Sequence, residues 1–384
     1  MRKIYLDNAA TTYVAAEALQ AMMPYFTTEF GNPASIHAFG RESEHAVAKA
    51  RSQVASCIGA DANEIYFTSG ATEANNWALL GVVKNSPSKR VLISSIEHPS
   101  VIEMGNYLDS LGYKVEKIAV DKEGVISVSD LIAKLSKPAA LVSVMVANNE
   151  VGTVQYMNTI ASLCKKRGAL FHTDASQAIG SVFIDVREME IDFLSMSGHK
   201  IYGPKGIGAL YIRNGLKIGK HLHGGGQENG KRGGTLNVPG IVGFGAAVEI
   251  SMRDSTINNN RIKILRDYMI REIEGKIPNV VLNGHRTQRL AGNVNFSFKG
   301  CEGEALLASL DLVGIAVSTG SACNSATLQR SHVLTAMGVA DDLNQSSIRF
   351  SLGRSTTKED IDYTVTELVK IVKRLRSISC IAKK

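Results

Sequence analysis

One lysine near the middle of the chain stands where it could act as a nucleophile. Lys200 follows the strand-like run Ile191–Met196 and precedes the stretch Tyr202–Gly206, which contains glycine and proline. A lysine at a strand end, among small polar residues, can be desolvated enough to react as a free amine, and Schiff-base chemistry with pyridoxal phosphate needs such an amine. Taken alone, a lysine in this position is more typical of an exposed loop. The interpretation therefore depends on the residues at the ends of the other strands.

Polar residues also follow four other predicted strands. Gly70–Thr72 lies at a strand-to-helix junction, where free backbone N–H groups and the helix dipole can bind an anion. His98 closes a second strand and its short loop, so it could lie over an aromatic cofactor and transfer protons. Asn149 follows a third strand, and Asp174 follows a fourth, with Gln177 farther along. A buried carboxylate requires a cationic partner, and a protonated pyridine nitrogen is one.

Each of these residues also has an ordinary explanation. A helix start can bind nothing, a single histidine is more often structural, and an aspartate after a strand is usually an N-cap. Their arrival at successive strand ends, together with Ser197, His199 and Lys200 after a fifth strand, favours a common site.

The elements that must position these residues alternate between strand and helix. Alternation of this kind predicts a largely parallel sheet covered on both faces, with the ligand beyond the carboxyl ends of the strands. A helix is predicted over Arg41–Ile58, and another begins near Ala71, capped by Ser69 or Thr72. The predicted strands are Glu64–Thr68, Arg90–Ser94, Lys114–Ile118, Ala140–Met145, Ala169–Thr173, Phe193–Met196 and Gly208–Ile212.

The last third of the chain has a different pattern, which indicates a smaller α+β unit. A long helical stretch runs from Pro239 to about Ile277, and the domain boundary is expected inside it, near residue 255. The large domain would comprise residues 15–255, and the small domain residues 1–14 and 256–384. The later elements predicted are strands near Val280–Leu282, Gly292–Phe298, Ile315–Ser318 and Ser347–Leu352, and helices at Glu302–Leu310 and Lys358–Arg376.

Composition excludes several classes of protein. The 384 residues are 44% hydrophobic and 21% charged, as is usual for a globular protein with a large core. The N-terminus has no signal-peptide pattern, and no apolar run is long enough to span a bilayer, so no membrane association is expected. A net charge of +7 with only 6% aromatic residues does not indicate direct nucleic-acid binding.

A glycine-rich stretch invites two other interpretations. Gly225–Lys231 fits the opening of a phosphate-binding P-loop, but Arg232 stands where a magnesium-binding serine or threonine is needed. His221 and His223 lack a nearby acid, so no metal site is predicted. The stretch through Thr235 is instead expected to form a flexible loop that approaches a phosphate.

The five cysteines form neither a disulfide framework nor a zinc pattern, which fits a reducing cytoplasm. Cys57 and Cys164 lie on helical patterns and are interpreted as packing residues, and Cys301 and Cys380 have no distinctive context. Cys323 lies in a run of small polar residues typical of an exposed loop, where a cysteine can be reactive.

Together these motifs resemble the NifS/IscS-type cysteine desulfurases of the class V aminotransferase family. The resemblance runs nearly from end to end and implies the pyridoxal-phosphate-dependent transferase fold type I, an α/β fold with a mainly parallel seven-stranded sheet flanked by helices plus a smaller α+β domain. The motifs that carry it are Tyr5–Thr12, Gly31–Ser35, Thr68–Glu73, Glu97-His98, Asn148–Gly152, His172–Gln177, Ser197–Gly206, Gly224–Glu228, Gly234-Thr235, Gly320–Cys323 and Ser347–Arg354.

The resemblance implies a role for each candidate residue. Lys200 would hold pyridoxal 5'-phosphate covalently, Asp174 would pair with the pyridine nitrogen, and Gln177 would bond the ring hydroxyl. His98 would stack on the ring and act in catalysis. Asn149 would contact the cofactor and the substrate. The phosphate would be held by Gly70, Ala71, Thr72, Ser197 and His199, with Thr235 contributed by the partner subunit of a homodimer.

The resemblance also implies a reaction. Arg354, with Asn149, would orient the carboxylate of L-cysteine, a task that suits a guanidinium. Cys323 would attack the sulfur of the cysteine–cofactor adduct, keep it as a persulfide and release alanine, which requires the thiolate. The sulfur would pass to an iron–sulfur scaffold protein and to other acceptors for tRNA thiolation, and Cys323 could transiently ligate a nascent cluster.

Two departures from the family pattern are visible. Arg232–Thr235 reads Arg-Gly-Gly-Thr where Arg-Ser-Gly-Thr is usual, and Gln329–His332 differs from the commonest sequence in the family, which bears on the acceptor that docks.

A selenocysteine lyase or an aminotransferase of the same fold would need Lys200 and Asp174 but not Cys323. A non-catalytic protein that keeps the fold would bind no cofactor. The sulfur acceptor and the use of selenocysteine stay open.

Overall fold

The computed structural model describes residues 2–319 and 330–378. The strands in this part of the chain are β1 Ile4–Tyr5, β2 Ile65–Thr68, β3 Arg90–Ser94, β4 Lys114–Ile118, β5 Leu141–Ser143, β6 Leu170–Asp174, β7 Phe193–Ser197, β8 Gly208–Ile212, β9 Val280–Leu282, β10 Asn293–Phe298, β11 Ile315–Ala316 and β12 Ser347–Ser351. The helices are α1 Ala16–Met22, α2 Pro24–Thr27, α3 Ala38–Ser56, α4 Ala71–Val83, α5 Pro99–Ser110, α6 Val128–Lys134, α7 Met157–Lys166, α8 Val238–Arg253, α9 Ser255–Lys276, α10 Gly303–Leu312, α11 His332–Ala336, α12 Asp341–Asn344 and α13 Lys358–Ile378.

A seven-stranded sheet in the order β2-β8-β7-β6-β5-β3-β4 forms the centre of the larger unit. Only β8 runs antiparallel to its neighbours, and the remaining pairs are parallel. Strands covered on both faces lack polar alternation, and β3, β5 and β7 are buried throughout. The predicted mainly parallel seven-stranded α/β fold is confirmed. The register brings Asp174 beside Ser195, so the carboxyl ends of β6 and β7 lie together.

Two predicted details of the helices are wrong. The stretch from Pro239 to Ile277 is two helices, because Asp254 leaves helical geometry at φ −99° and ψ 2°. The N-cap of α4 is Gly70, and no side chain caps this helix, so neither Ser69 nor Thr72 does. A glycine at this position leaves the first backbone N–H groups of α4 available to a ligand.

A second unit has its own sheet and its own core. The sheet is antiparallel in the order β12-β10-β9, and the parallel pair β1 and β11 lies beside it. Ile4 and Leu6 from the N-terminal end pack into the same cluster as α9, α10 and α13. The predicted division into residues 15–255 and residues 1–14 plus 256–384 stays a prediction, and this packing supports it.

No helix within residues 2–319 and 330–378 is long and apolar enough to cross a membrane.

Replacing a buried phenylalanine tests the importance of the second core. Phe296 lies in the central strand β10 with no exposed surface, so Phe296→Ala should reduce the free energy of unfolding by about 3–5 kcal/mol. Urea denaturation followed by circular dichroism measures the loss. The matched control is Phe183→Ala, since Phe183 is 69% exposed and its loss should change stability by no more than about 0.5 kcal/mol. Equal losses in the two variants would contradict the prediction.

Candidate functional site

A cleft of about 570 Å³ opens at the carboxyl ends of the central strands. The structure brings together in its lining the residues that the sequence picked out at five separate strand ends. Those that line it are Gly70, Ala71, Thr72, His98, Asn149, Asp174, Gln177, Ser197, His199 and Lys200. Their convergence follows from the parallel strands, whose carboxyl ends share one edge of the sheet.

Lys200 is held at the cleft by the N-terminal segment. It ends the single 3-10 turn after β7, and its Nζ donates hydrogen bonds to the carbonyl oxygens of Ala9 at 2.6 Å and Ala10 at 2.7 Å. Gln177 Nε2 donates to the same Ala9 oxygen at 2.9 Å. The backbone N–H and the hydroxyl of Thr12 both donate to the carbonyl of His199. A segment remote in sequence therefore crosses the site and orients the amine.

Asp174 is linked to His98 through an asparagine that the sequence analysis missed. Nδ2 of Asn75 lies 2.7 Å from Oδ2 of Asp174 and 2.9 Å from Oγ of Ser100, and that hydroxyl lies 2.9 Å from Nδ1 of His98. The backbone N–H of Ser176 donates to the other oxygen of Asp174 at 2.8 Å. Asn75 follows the Thr72 motif by one helical turn, and its polar character on a buried face of α4 was the available signal.

Burial and a helix-capping contact favour the neutral form of His98. It caps α5, and the backbone N–H of Ser100 donates to Nδ1 at 3.1 Å, which places the ring hydrogen on Nε2. Burial lowers the pKa of His98, the charge of Asp174 opposes this shift, and the charge of Lys200 adds to it. A neutral imidazole of this tautomer, whose Nδ1 also accepts from the Ser100 hydroxyl, can lie against an aromatic ring or accept a proton.

The part of the cleft at the start of α4 suits an anion. Nothing lies within 4 Å of where a Cβ on Gly70 would stand, while a Cβ on Gly208 would lie 2.8 Å from the Gly70 Cα. The close approach of β8 to Gly70 therefore requires glycine at position 208. The pKa of His199 is lowered to about 4 by burial and by the neighbouring charges of Lys200 and Lys205. His199 is thus a neutral hydrogen-bonding group beside the open helix end.

The glycine-rich run is tied to α4 and β2 within one subunit. His221 stacks on Trp77 with ring centroids 5.9 Å apart, and Lys231 Nζ donates to the hydroxyl of Tyr66 at 2.7 Å. Arg232 Nε donates to Glu73 Oε1 at 2.9 Å. Thr235 is exposed and does not line this cleft. Its role in the site of a partner subunit stays a prediction.

The arginine that reaches the cleft is Arg349, which the sequence analysis did not select. Its side chain is 3% exposed, and Nη2 pairs with Oδ1 of Asp7 at 2.9 Å, while Nη1 donates to the carbonyl of Asn149 at 3.0 Å. Arg354 instead lies over the ring of Tyr202, 4.5 Å from its centroid, and lines a neighbouring cavity of about 110 Å³. The sequence signal for Arg349 was its place in the Ser347–Arg354 motif, but spacing alone could not separate the two arginines.

Three of the five cysteines lie among the residues that the structure describes. Cys57, Cys164 and Cys301 are buried and free. Burial raises the pKa of Cys57 and of Cys164 to about 12, as expected for packing residues, and also raises the pKa of Cys301. These three thiols are therefore poor nucleophiles near neutral pH. Cys323, the predicted nucleophile, and Cys380 lie outside the described residues.

No group of three or more His, Cys, Asp or Glu side chains is arranged to hold a metal ion in residues 2–319 and 330–378.

The described residues fit a planar ligand with a cation at one edge and a phosphate at another. The buried carboxylate of Asp174, the uncapped start of α4 and the amine of Lys200 all line this cleft. A primary amine in such surroundings is suited to covalent chemistry with a carbonyl group.

Comparisons with known proteins identify the family. The family model described as aminotransferase class-V matches residues 4–364. The chain is 48% identical to the cysteine desulfurase IscS of Dictyoglomus turgidum over 98% of this chain and 96% of that protein. A solved structure of a NifS-like protein superposes with a TM-score of 0.91 at 36% identity, covering 97% of this chain and 100% of the other.

A second solved structure, described as SspA in complex with cysteine, superposes with a TM-score of 0.82 at 34% identity over 92% of this chain and 100% of the other. The resemblance predicted from the motifs is thereby confirmed. The chain belongs to the class V aminotransferase family and, within it, to the NifS/IscS-type cysteine desulfurases.

Proposed function

We propose that this chain is a pyridoxal-phosphate-dependent cysteine desulfurase that converts L-cysteine to L-alanine. The observation that carries the proposal is the cleft in which Lys200, Asp174 and the uncapped start of α4 lie together, in a chain 48% identical to a cysteine desulfurase. The substrate thiol sulfur leaves its carbon, which gains a hydrogen, and joins the sulfur of Cys323. The products are alanine and a persulfide on Cys323, so no external oxidant or reductant is needed.

The resemblance to the family implies which residues of the cleft would hold the cofactor. Lys200 would hold the aldehyde carbon, Asp174 would pair with the ring nitrogen, Gln177 would meet the ring hydroxyl, and His98 would lie against the ring. When bound, pyridoxal phosphate supplies an electron sink for bond cleavage at an amino acid. Asn75 keeps the Asp174 carboxylate oriented toward the cleft. The phosphate is held by the α4 start and by polar neighbours, which are Gly70, Ala71, Thr72, Ser197, His199 and the partner subunit's Thr235.

The substrate carboxylate binds to Arg349, with Asn149 beside it. Arg349 lines the same cleft as Lys200, and its Nε is buried and has no hydrogen-bond partner in the described residues. A buried guanidinium with spare donor capacity suits a carboxylate. Arg354, which was predicted for this role, lies against Tyr202 outside this cleft and serves as the alternative in the test below.

Other features support the predicted assembly and partners. Several large apolar side chains in the N-terminal part of the chain are exposed, and exposed apolar surface is typical of interaction sites, which supports a homodimer. They are Tyr13, Leu19, Met23, Phe26, Phe30, Ile36 and Phe39. In the dimer, the exposed Thr235 would reach the partner's cleft.

The sulfur on Cys323 would pass in the cytoplasm to an iron–sulfur scaffold and to acceptors for tRNA thiolation. Cys323 would also transiently ligate a nascent cluster.

A selenocysteine lyase or an aminotransferase remains the alternative from the same fold. Both reactions use Lys200 and Asp174, and neither requires Cys323. The raised pKa values of the buried cysteines leave Cys323 and Cys380 as the thiols to test.

The Cys323→Ala variant separates these functions. With L-cysteine and a reductant, the wild type should form alanine and sulfide, and Cys323→Ala should form neither above background, because no thiolate is present to take the sulfur. Amino-acid analysis measures the alanine. Cys380→Ala is the control and should behave as the wild type. Equal alanine formation in Cys323→Ala and wild type would rule out the persulfide route.

Borohydride reduction tests the attachment of the cofactor. Reduction should fix pyridoxal phosphate to the amine that holds it, and peptide mass mapping should find the added mass on Lys200. The Lys200→Ala variant should carry no attached cofactor and should lose the visible absorbance of the wild type. The control is Lys205→Ala, which should keep the cofactor on Lys200. Lys205 lines the same cleft but should not replace Lys200 as the attachment site. Attachment to Lys205 would contradict the assignment.

Paired arginine variants test which guanidinium binds the substrate. Arg349→Gln should raise KM for L-cysteine about 10- to 100-fold, since a hydrogen bond to a charged group contributes about 1.5–3 kcal/mol. Arg354→Gln should leave KM close to the wild-type value. Thermal unfolding of both variants separates lost binding from lost stability, because Arg349→Gln also leaves Asp7 without its partner. The reverse pattern of KM values would assign the carboxylate to Arg354.

A further inference from the structure

Two acidic residues adjacent in sequence to predicted site residues contact the helix that follows Cys323 in the chain. The hydroxyl of Ser331 donates to Oε2 of Glu150 at 2.5 Å. Nε2 of His332, the next residue, lies 2.9 Å from the carbonyl oxygen of Glu97. The start of α11 is therefore bound to the neighbours in sequence of two residues that line the cleft, His98 and Asn149.

Ser331 is fixed from several directions. Its hydroxyl caps α11 by accepting a hydrogen bond from the backbone N–H of Leu334 at 3.1 Å. Its backbone N–H donates to Oδ1 of Asn344 at 2.9 Å, and its carbonyl accepts from Nδ2 of Asn344 at 3.0 Å. These two contacts hold Ser331 within the smaller unit, whereas the bond to Glu150 joins it to the wall of the cleft.

The described residues on the other side of Cys323 are attached to the same wall. The backbone of Ser318 exchanges hydrogen bonds with the backbone of Arg349, at 3.2 and 2.7 Å. Arg349 in turn donates from Nη1 to the carbonyl of Asn149. The described residues on both sides of Cys323 are thus connected by hydrogen bonds to Asn149, Glu150 and Arg349.

The burial of Glu150 argues against a merely stabilising role. The residue is 4% exposed, and its carbonyl oxygen accepts hydrogen bonds from Nδ2 of Asn293 and of Asn295, both at 3.1 Å. Burial raises the pKa of the Glu150 carboxyl to about 7, although the Ser331 hydrogen bond and the charge of Arg349 oppose the shift. A buried carboxylate adds little stability compared with an apolar residue, so folding alone does not account for it.

We propose that Glu150 is a positioning residue that, through Ser331, holds the flank of the cysteine-bearing segment against the substrate-binding wall of Asn149 and Arg349. The inference rests on the proposed function, because Cys323 must meet the sulfur of a substrate bound at that wall. Correct placement of a nucleophile contributes largely to rate, and small displacements reduce the rate strongly. Loss of the Glu150–Ser331 bond should therefore spare substrate binding and slow sulfur transfer.

A spin label on Cys323 reports the positioning without any catalytic turnover. In a Cys380→Ser background, the remaining cysteines Cys57, Cys164 and Cys301 are buried, so a nitroxide reagent should attach to Cys323. The electron paramagnetic resonance lines should narrow in Glu150→Ala, because the flank loses its tether. Glu150→Gln should keep the wild-type line shape, since its amide oxygen can still accept the bond.

Steady-state kinetics of the unlabelled holoenzyme give the second readout. Glu150→Ala and Ser331→Ala should each lower kcat for alanine formation about tenfold or more, as expected for loss of a hydrogen bond to a charged group. The L-cysteine concentration that half-saturates the change in cofactor absorbance should stay at the wild-type value. Glu150→Gln and Ser331→Thr should retain most of kcat, and the Glu150→Ala/Ser331→Ala double variant should be no slower than either single variant.

The matched control is Ser309→Ala. Ser309 is buried in the same unit and accepts a hydrogen bond from Arg374 Nη2 at 3.0 Å, but it does not line the cleft. Its loss should leave both line shape and kcat unchanged. The positioning role alone would be refuted if the wild type is active but Glu150→Ala and Ser331→Ala both keep the wild-type line shape and kcat. No alanine from the wild type would refute the proposed function itself.

Discussion

A carboxylate buried at the end of a central strand sets the electrostatic conditions of the site. Asp174 is 6% exposed, and burying its charge is unfavourable unless hydrogen bonds and a cation compensate. Asn75 and Ser176 supply hydrogen bonds, and a cationic group of a ligand in the cleft would compensate the charge further. The same negative charge acts with burial to raise the pKa of the neighbouring Glu97 well above its usual range. Asp174 thus determines both the hydrogen-bond donors placed beside it and the pKa of Glu97.

Burial shifts the histidines near Asp174 toward the neutral form. Burial lowers the pKa of His172, which lies next to Asp174 in β6 and bonds Ser143 and Ser195. His98 and His199 are shifted in the same direction for the same reason. An imidazole in its neutral form can contact a ring or a phosphate without adding a competing cation near Asp174.

The two units meet at the cleft, and each contributes residues to its lining. The larger unit supplies Lys200 and Asp174, whereas Arg349 comes from β12 of the smaller unit. The N-terminal segment joins them, since Ala9 bonds Lys200 while Asp7 pairs with Arg349. Glu150 and Ser331 form a second connection between the units. A reaction that brings an amine, a carboxylate-binding group and a distant thiol to one substrate requires such connections.

The order of strands and helices, the parallel sheet and most of the cleft could be read from local pattern, because apolar periodicity and the residues at strand ends are local properties. Lys200, His98 and Asp174 were found in this way. The tertiary structure was needed to find that Arg349 and not Arg354 lines this cleft, that Asn75 contacts Asp174 and that the long helix breaks at Asp254. Each is decided by contacts between residues far apart in the chain, and burial against those neighbours determines which polar groups face the cleft.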